Sequence, residues 1–316
     1  LGRTVTILGG GPAGSAAGIA AQREGCSALI IEKSKFPRHK VCGEFFSPEI
    51  QPALEDLGVW QAFLAENPAR IRRMRLHFGR REKSSRLPEP AWGLSRYAFD
   101  ALLFNQVVQA SACEADPTII ATGRRAIEPR GRRLFGFKAH FEGPVDDAVE
   151  LFFFDRCYVG VTAIENGRTN VCGLGPEDVL SRFNFDFDRV VAQSPALAER
   201  IGPLRRLMKW ISTGPLRFAQ VLPLDRNMYP VGDALSFVDP FTGSGLVAAV
   251  TTGTLAGRAA ARGVSIAEYS ADCRRRLRKS FEVASIFRGA IRSGWAEHLA
   301  GLVPGRVLFA LTRPGK

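Results

Sequence analysis

Gly9, Gly11 and Gly14 stand in G-x-G-x-x-G spacing, and Glu32 follows Gly14 by 18 residues. Glycines so spaced let a backbone turn tightly, approach a pyrophosphate and pack a helix against a strand. The amides of the helix start then face the anion, and a carboxylate at the tip of the next strand can accept from ribose hydroxyls. The elements needed to position them are present in order. Val5–Leu8 is a short apolar, β-branched run, Ala13–Arg23 is rich in helix formers, and Ala28–Ile31 is a second apolar run ending at Glu32. An acid at the ribose position disfavours a 2′-phosphate, so the expected ligand is FAD or NAD rather than NADP. A glycine-rich turn in another kind of α/β unit is the alternative.

A second set of residues lies far along the chain, in "RNMYPVGDALSFVDPFTGSGLVAAVTTGTLAGRAAA" (226–261). The pattern predicts a strand at Met228–Val231, a Gly232-Asp233 turn, a loop through Pro240, and a helix starting near Gly243–Gly245. Asp233 is placed to hold a ribityl hydroxyl, and the helix entry offers N–H groups to an electron-rich ring edge. On its own, Gly-Asp is an ordinary turn dipeptide. "TIIATGR" (118–124) reads as one more buried strand.

In this order, "GGGPAG", "ATG" and "VGDALSFVDPFTGSGL" resemble the FAD-dependent oxidoreductases of the p-hydroxybenzoate hydroxylase fold, and within them the geranylgeranyl reductase-like branch related to flavin-dependent monooxygenases and halogenases. "FPRHKVCGEFFSPE" (36–49), "GLSRYAFDALLF" (93–104) and "LFFFDRCYVGVTAIENGRTNVCGL" (151–174) carry the same resemblance. It implies FAD as cofactor, with binding residues Gly9, Gly11, Pro12, Ala13, Gly14, Glu32, Lys33, Arg38, Arg96, Gly232, Asp233, Pro240, Gly243 and Gly245. Arg96 is implied at the pyrophosphate. The "KVCGE" loop is implied at the reactive face of the flavin, where Cys42, with Lys40 and Arg38 nearby, is expected to have a lowered pKa and to serve as proton donor or thiolate. The alternative for Cys42 is a small apolar residue packed against the ring. "YVGVTAI" stands where geranylgeranyl reductases carry Tyr-x-Trp-x-Phe-Pro, and the tryptophan-halogenase W-x-W-x-I-P signature is absent.

The implied fold class is α/β, with a Rossmann-like FAD-binding domain interleaved with a mostly antiparallel β-sheet substrate domain and C-terminal helices. The FAD part is assigned to 1–70, 93–126 and 218–262, the substrate part to 71–92 and 127–217, and a helical region to 263–316. A helix over Tyr97–Ala110 leaves only Ser111–Pro117 before the next strand, too little for the usual strand and hairpin. Residues are therefore expected to be missing near 110–116. His77 and His140 lie on alternating strand patterns and face either a substrate cavity or the core. No G-x-S-x-G elbow supports a hydrolase.

The chain has 316 residues, 46% of them hydrophobic, which suits an ordinary globular protein. No apolar run reaches the ~18 residues that span a bilayer. Six cysteines occur without C-x-x-C or metal-ligand spacing, so reduced thiols and no metal are expected. The sequence enters a strand at once, so no signal peptide is read, and a cytoplasmic place, if anything peripheral to a membrane, is expected. Net charge is +12, with basic clusters at Arg72–Arg75, Arg80–Arg86, Arg124–Arg133 and Arg274–Lys279. A solvated face explains most such runs, and an acidic carrier protein or an anionic membrane surface is the alternative. Nucleic acid is not expected, because no recognition module accompanies them. With no separate nicotinamide domain, NAD(P)H or a partner reductase would visit the flavin transiently. Three classes of activity stay open: an oxidoreductase on an apolar or carrier-bound small molecule, a halogenase, and a non-catalytic FAD-binding partner.

Overall fold

The structure, a computed structural model, describes residues 3–79, 81–111, 118–123, 133–216, 228–235 and 243–276. From the N-terminus the elements are β1 (Thr4–Leu8), α1 (Pro12–Arg23), β2 (Ser27–Ile31), β3 (Phe45–Phe46), α2 (Ile50–Asp56), α3 (Trp60–Ala65), β4 (Ala69–Phe78), β5 (Arg81–Gly93), α4 (Arg96–Asn105) and β6 (Ile119–Ile120). There follow β7 (Leu134–Glu142), β8 (Ala148–Phe154), β9 (Cys157–Ile164), β10 (Arg168–Pro176), α5 (Glu177–Leu180), α6 (Phe187–Val191), α7 (Pro195–Ile201), β11 (Arg205–Arg206), β12 (Ile211–Leu216), β13 (Tyr229–Pro230) and α8 (Gly245–Arg262).

Two sheets result. The smaller is parallel, in the order β13-β6-β1-β2. Its strands are short and apolar because both faces are covered, α1 and α8 packing with it into one core. Pro230 falls on the outermost strand, where its missing N–H breaks no ladder. The larger sheet runs β11-β7-β10-β9-β8-β4-β5-β3, with β12 also on β7. Its pairs are antiparallel except β4 with β8. One face of β7 and β10 presents Phe137, Ala139, Phe141 and Val171 to the apolar sides of α5–α7. The opposite face is polar, and it meets the loop that enters β3.

Two expectations change. The helix expected to reach Ala110 stops at Asn105. Gln109 then bridges Ala28 in parallel and the Ala110 amide donates to the Ala28 carbonyl at 2.8 Å, so the open edge of β2 captures the chain. Phe45–Phe46, inside the stretch assigned to the FAD part, pairs with Trp92–Gly93 at the edge of the larger sheet. The expected missing residues near 110–116 concern a segment largely outside the described residues, as do Pro240 and the helical region beyond 276.

Candidate active site

The glycine loop is built from local necessities. Gly9 has φ +106°, and a Cβ there would lie 2.4 Å from the Ala121 carbonyl oxygen. A Cβ on Gly14 would lie 1.9 Å from the Gly9 carbonyl oxygen, so helix and strand could not approach. Gly11 differs: a Cβ there would meet nothing within 4 Å. It is the N-cap of α1, with Pro12 following and no side chain capping the helix. A backbone cradle open to the outside, beside uncapped amides, fits a pyrophosphate. Glu32 is fixed beside it. Its Oε2 accepts from the Gly10 amide at 2.8 Å and from Arg38 Nη2 at 3.3 Å, and its Oε1 accepts from the Ser34 amide at 2.9 Å. Burial presses its pKa upward, but the two amides and Arg38 outweigh that and hold the carboxyl below its ordinary value. Lone pairs remain on this aimed carboxylate for ribose hydroxyls. Arg38 also lies over the Phe36 ring, 4.8 Å from its centre, while Lys33 is exposed next to Glu32.

The distant segment is brought to this loop by helix packing. Gly253 and Gly257, one turn apart on α8, meet α1 so closely that Cβ atoms would lie 2.1 Å from the Ala13 oxygen and 2.2 Å from the Ala17 oxygen. Gly232, at φ +56°, is also against Ala13, and its amide donates to Thr252 Oγ1 at 2.9 Å. Asp233 follows in a single 3₁₀ turn. Gly243 has φ +65° next to Phe45, and Gly245 opens α8 with no neighbour near its missing Cβ. The start of α1 is thus held against α8 about two turns inside its first residue, with Gly232 against both helices.

The third component is the loop Lys40–Glu44. Glu44 is fully buried with φ +53°, a backbone region costly for a residue with a side chain. Its Oε1 accepts from Lys138 Nζ and, at 2.6 Å, from the Arg96 amide; its Oε2 lies 2.7 Å from His140 Nε2. Burial alone would raise the Glu44 pKa, but Lys138 and His140 keep it below the ordinary value and the group ionised. The lowered pKa expected for Cys42 is overturned. The cysteine is half-buried, and desolvation of its sulfur raises its pKa despite the nearby Arg96. The Lys40 and Arg38 charges do not reverse this; Arg38 is engaged by Glu32. Cys42 is therefore a protonated thiol, able to give a proton, and not a standing thiolate. Arg96, implied at the pyrophosphate, turns its guanidinium to Asp100, with Nη2 to Oδ2 at 2.7 Å, and its charge lies near Cys42. His77 stacks on Phe152 beside Glu150, on a different part of the sheet, whereas His140 is part of the Glu44 cluster.

Residues 3–111 match the FAD binding domain family. Digeranylgeranylglycerophospholipid reductase 2 of Methanopyrus kandleri is 26% identical, in an alignment covering 88% of this chain and 82% of that protein. The chain is an FAD-dependent oxidoreductase. Among solved structures, the flavin-dependent brominase Bmp2 superposes with a TM-score of 0.77 at 19% identity, covering 99% of this chain and 93% of that one. A geranylgeranyl bacteriochlorophyll reductase-like protein of Thermoplasma acidophilum gives 0.70 at 17%, covering 99% and 92%. These likenesses are of fold.

Sequence reasoning on this flavoenzyme missed Lys138, Asn170 and the structural use of Glu44. A signal existed: Lys138 and His140 interrupt the apolar strand "LFGFKAHFE" two residues apart, hence on one face. A lysine and a histidine facing inward together call for a buried acid.

Proposed function

We propose that the chain reduces a carbon–carbon double bond of an apolar or carrier-bound small molecule, in lipid, isoprenoid or secondary metabolism. The observation that carries this is the Cys42 thiol held near the Arg96 guanidinium, a positive charge suited to the thiolate left when the thiol gives up its proton. FAD, once bound and reduced, would supply the hydride. Cys42 delivers the proton to the other carbon, Arg96 faces the thiolate that remains, and solvent restores the thiol. The length over which the archaeal reductase aligns supports the same reading. Electrons come to the flavin from NAD(P)H or a partner reductase.

The basic surface supports a further part of the proposal, that substrate arrives on an acidic carrier or from an anionic membrane. Much of the 72–75 cluster is already neutralised, Arg73 by Asp146 and Asp147 and Arg75 by Asp146 and Glu150. The exposed charges Arg81 and Arg86 on β5 are the ones this contact would use. No helix of the described residues is long and apolar enough to cross a membrane. A location in the cytoplasm, at the membrane surface where substrate is lipid, belongs to this proposal.

The test is anaerobic turnover of the reduced, FAD-loaded protein with polyprenyl lipids, followed by mass spectrometry. A gain of two hydrogens per reduced bond is expected. An oxygenated product in air, or a halogenated one requiring halide, would replace reduction by monooxygenation or halogenation, the chemistry of the brominase that shares the fold.

A further inference from the structure

Cys42 is gripped from the larger sheet at several points, none local in sequence. Asn170 Nδ2 on β10 donates to the Cys42 carbonyl at 3.1 Å, across 128 residues. Lys138 Nζ on β7 donates to the Lys40 carbonyl at 3.1 Å and also to Glu44, so one ammonium spans the loop on either side of the cysteine. His140 and the Arg96 amide take the other positions on the Glu44 carboxylate. Lys138 pairs in register with Cys172, and His140 with Asn170, so these four side chains share one sheet face. Lys138, Glu44 and Asn170 are each fully buried. A buried charge pair and a left-handed Glu44 are costly unless their surroundings hold them in one arrangement. The segment they hold is the one carrying the thiol.

We propose that Lys138 and Asn170 are positioning residues: with Glu44 they form a clamp by which the larger sheet fixes the Cys42 sulfur. The clamp rests on the proposed function only for its effect on turnover; its effect on the thiol is independent. Lys138 neutralises the Glu44 carboxylate and ties the loop's entry, while Asn170 ties the peptide of Cys42 itself. The Asn170 Oδ1 atom is buried and has no hydrogen-bond partner, so this amide is held there by its donor side alone.

The test follows carbamidomethylation of Cys42 by iodoacetamide in the FAD-loaded protein, by mass spectrometry of the peptide containing it. In Asn170→Ala the Cys42 rate should rise about tenfold, the scale of one lost hydrogen bond, with FAD affinity within about twofold of the parent. Lys138→Met strands a buried carboxylate, so the folded form is better tested as the Glu44→Gln/Lys138→Met pair, where the rise should be at least as large. Lys138→Arg, which keeps a donor cation, should restore most of the protection. Unchanged alkylation in Asn170→Ala and in the double variant overturns the clamp. Faster alkylation with unchanged turnover upholds the clamp and removes Cys42 from the chemistry. Faster alkylation with lower kcat and steady KM upholds both.

Discussion

The glycine loop and the Cys42 loop are neighbours in the site but are made in opposite ways. Glu32 reaches Gly10 across 22 residues, inside one strand–helix–strand unit, and Gly14 is required by the Gly9 carbonyl within it, while Gly9 itself meets the Ala121 carbonyl just after β6. Glu44 reaches Lys138 across 94 residues, and Cys42 reaches Asn170 across 128. The first loop is therefore nearly self-sufficient, while the second has its shape only when the larger sheet is in place. Binding can survive damage that abolishes positioning.

The largest effect that would sharpen this contrast is on stability. Glu44→Ala leaves the Lys138 ammonium buried without its acid, and should cost about 3–5 kcal/mol, read from chemical denaturation. A loss under about 1 kcal/mol would mean that the cluster is solvated and holds nothing. Cys42→Ser comes next. It should keep the protein yellow, with one FAD per chain, while slowing reduction by roughly 10²-fold, the scale of a lost general acid. Normal turnover in that variant would place the proton donor elsewhere.

Gly14→Ala and Gly11→Ala divide folding from binding within the glycine loop itself. The first forces a Cβ onto the Gly9 oxygen and should destabilise by about 1–3 kcal/mol or more. The second adds a methyl to open space, so the melting temperature should hold while FAD titration shows lost affinity. Equal FAD binding by Gly11→Ala and the parent would break the assignment of this cradle to the pyrophosphate. Glu32→Ala should weaken FAD retention by about 1–3 kcal/mol, since it removes the hydroxyl acceptor and frees the Gly10 amide.

The smallest effect is on acid stability. Glu32 and Glu44 both have folded pKa values below their ordinary ones. Their contribution is therefore full above the unfolded carboxylate value of about 4.3 and is lost as pH falls through the folded values. Thermal melts of the parent should drop steeply below that point, and the Glu44→Gln/Lys138→Met pair should drop less. Parallel curves would show that Glu44 carries no share of the acid response.

By itself the sequence determined the dinucleotide unit, because its rules are local: the 3.6 and 2 periodicities, φ > 0 at Gly9, and a Cβ that Gly14 cannot have. It also determined that a second glycine-rich helix start exists. Only the tertiary structure decided that this helix reaches the first, through Gly253 and Gly257 against Ala13 and Ala17, since close approach of two helices depends on both partners at once. The same holds for Cys42. Its neighbours in sequence, Lys40 and Arg38, suggested a lowered pKa; burial keeps the thiol protonated against the nearby Arg96 and Lys138, and Lys138 and Asn170 on distant strands grip its loop. Ionisation and position are set by what surrounds a group in space, and for this loop the surroundings are supplied by strands more than ninety residues away.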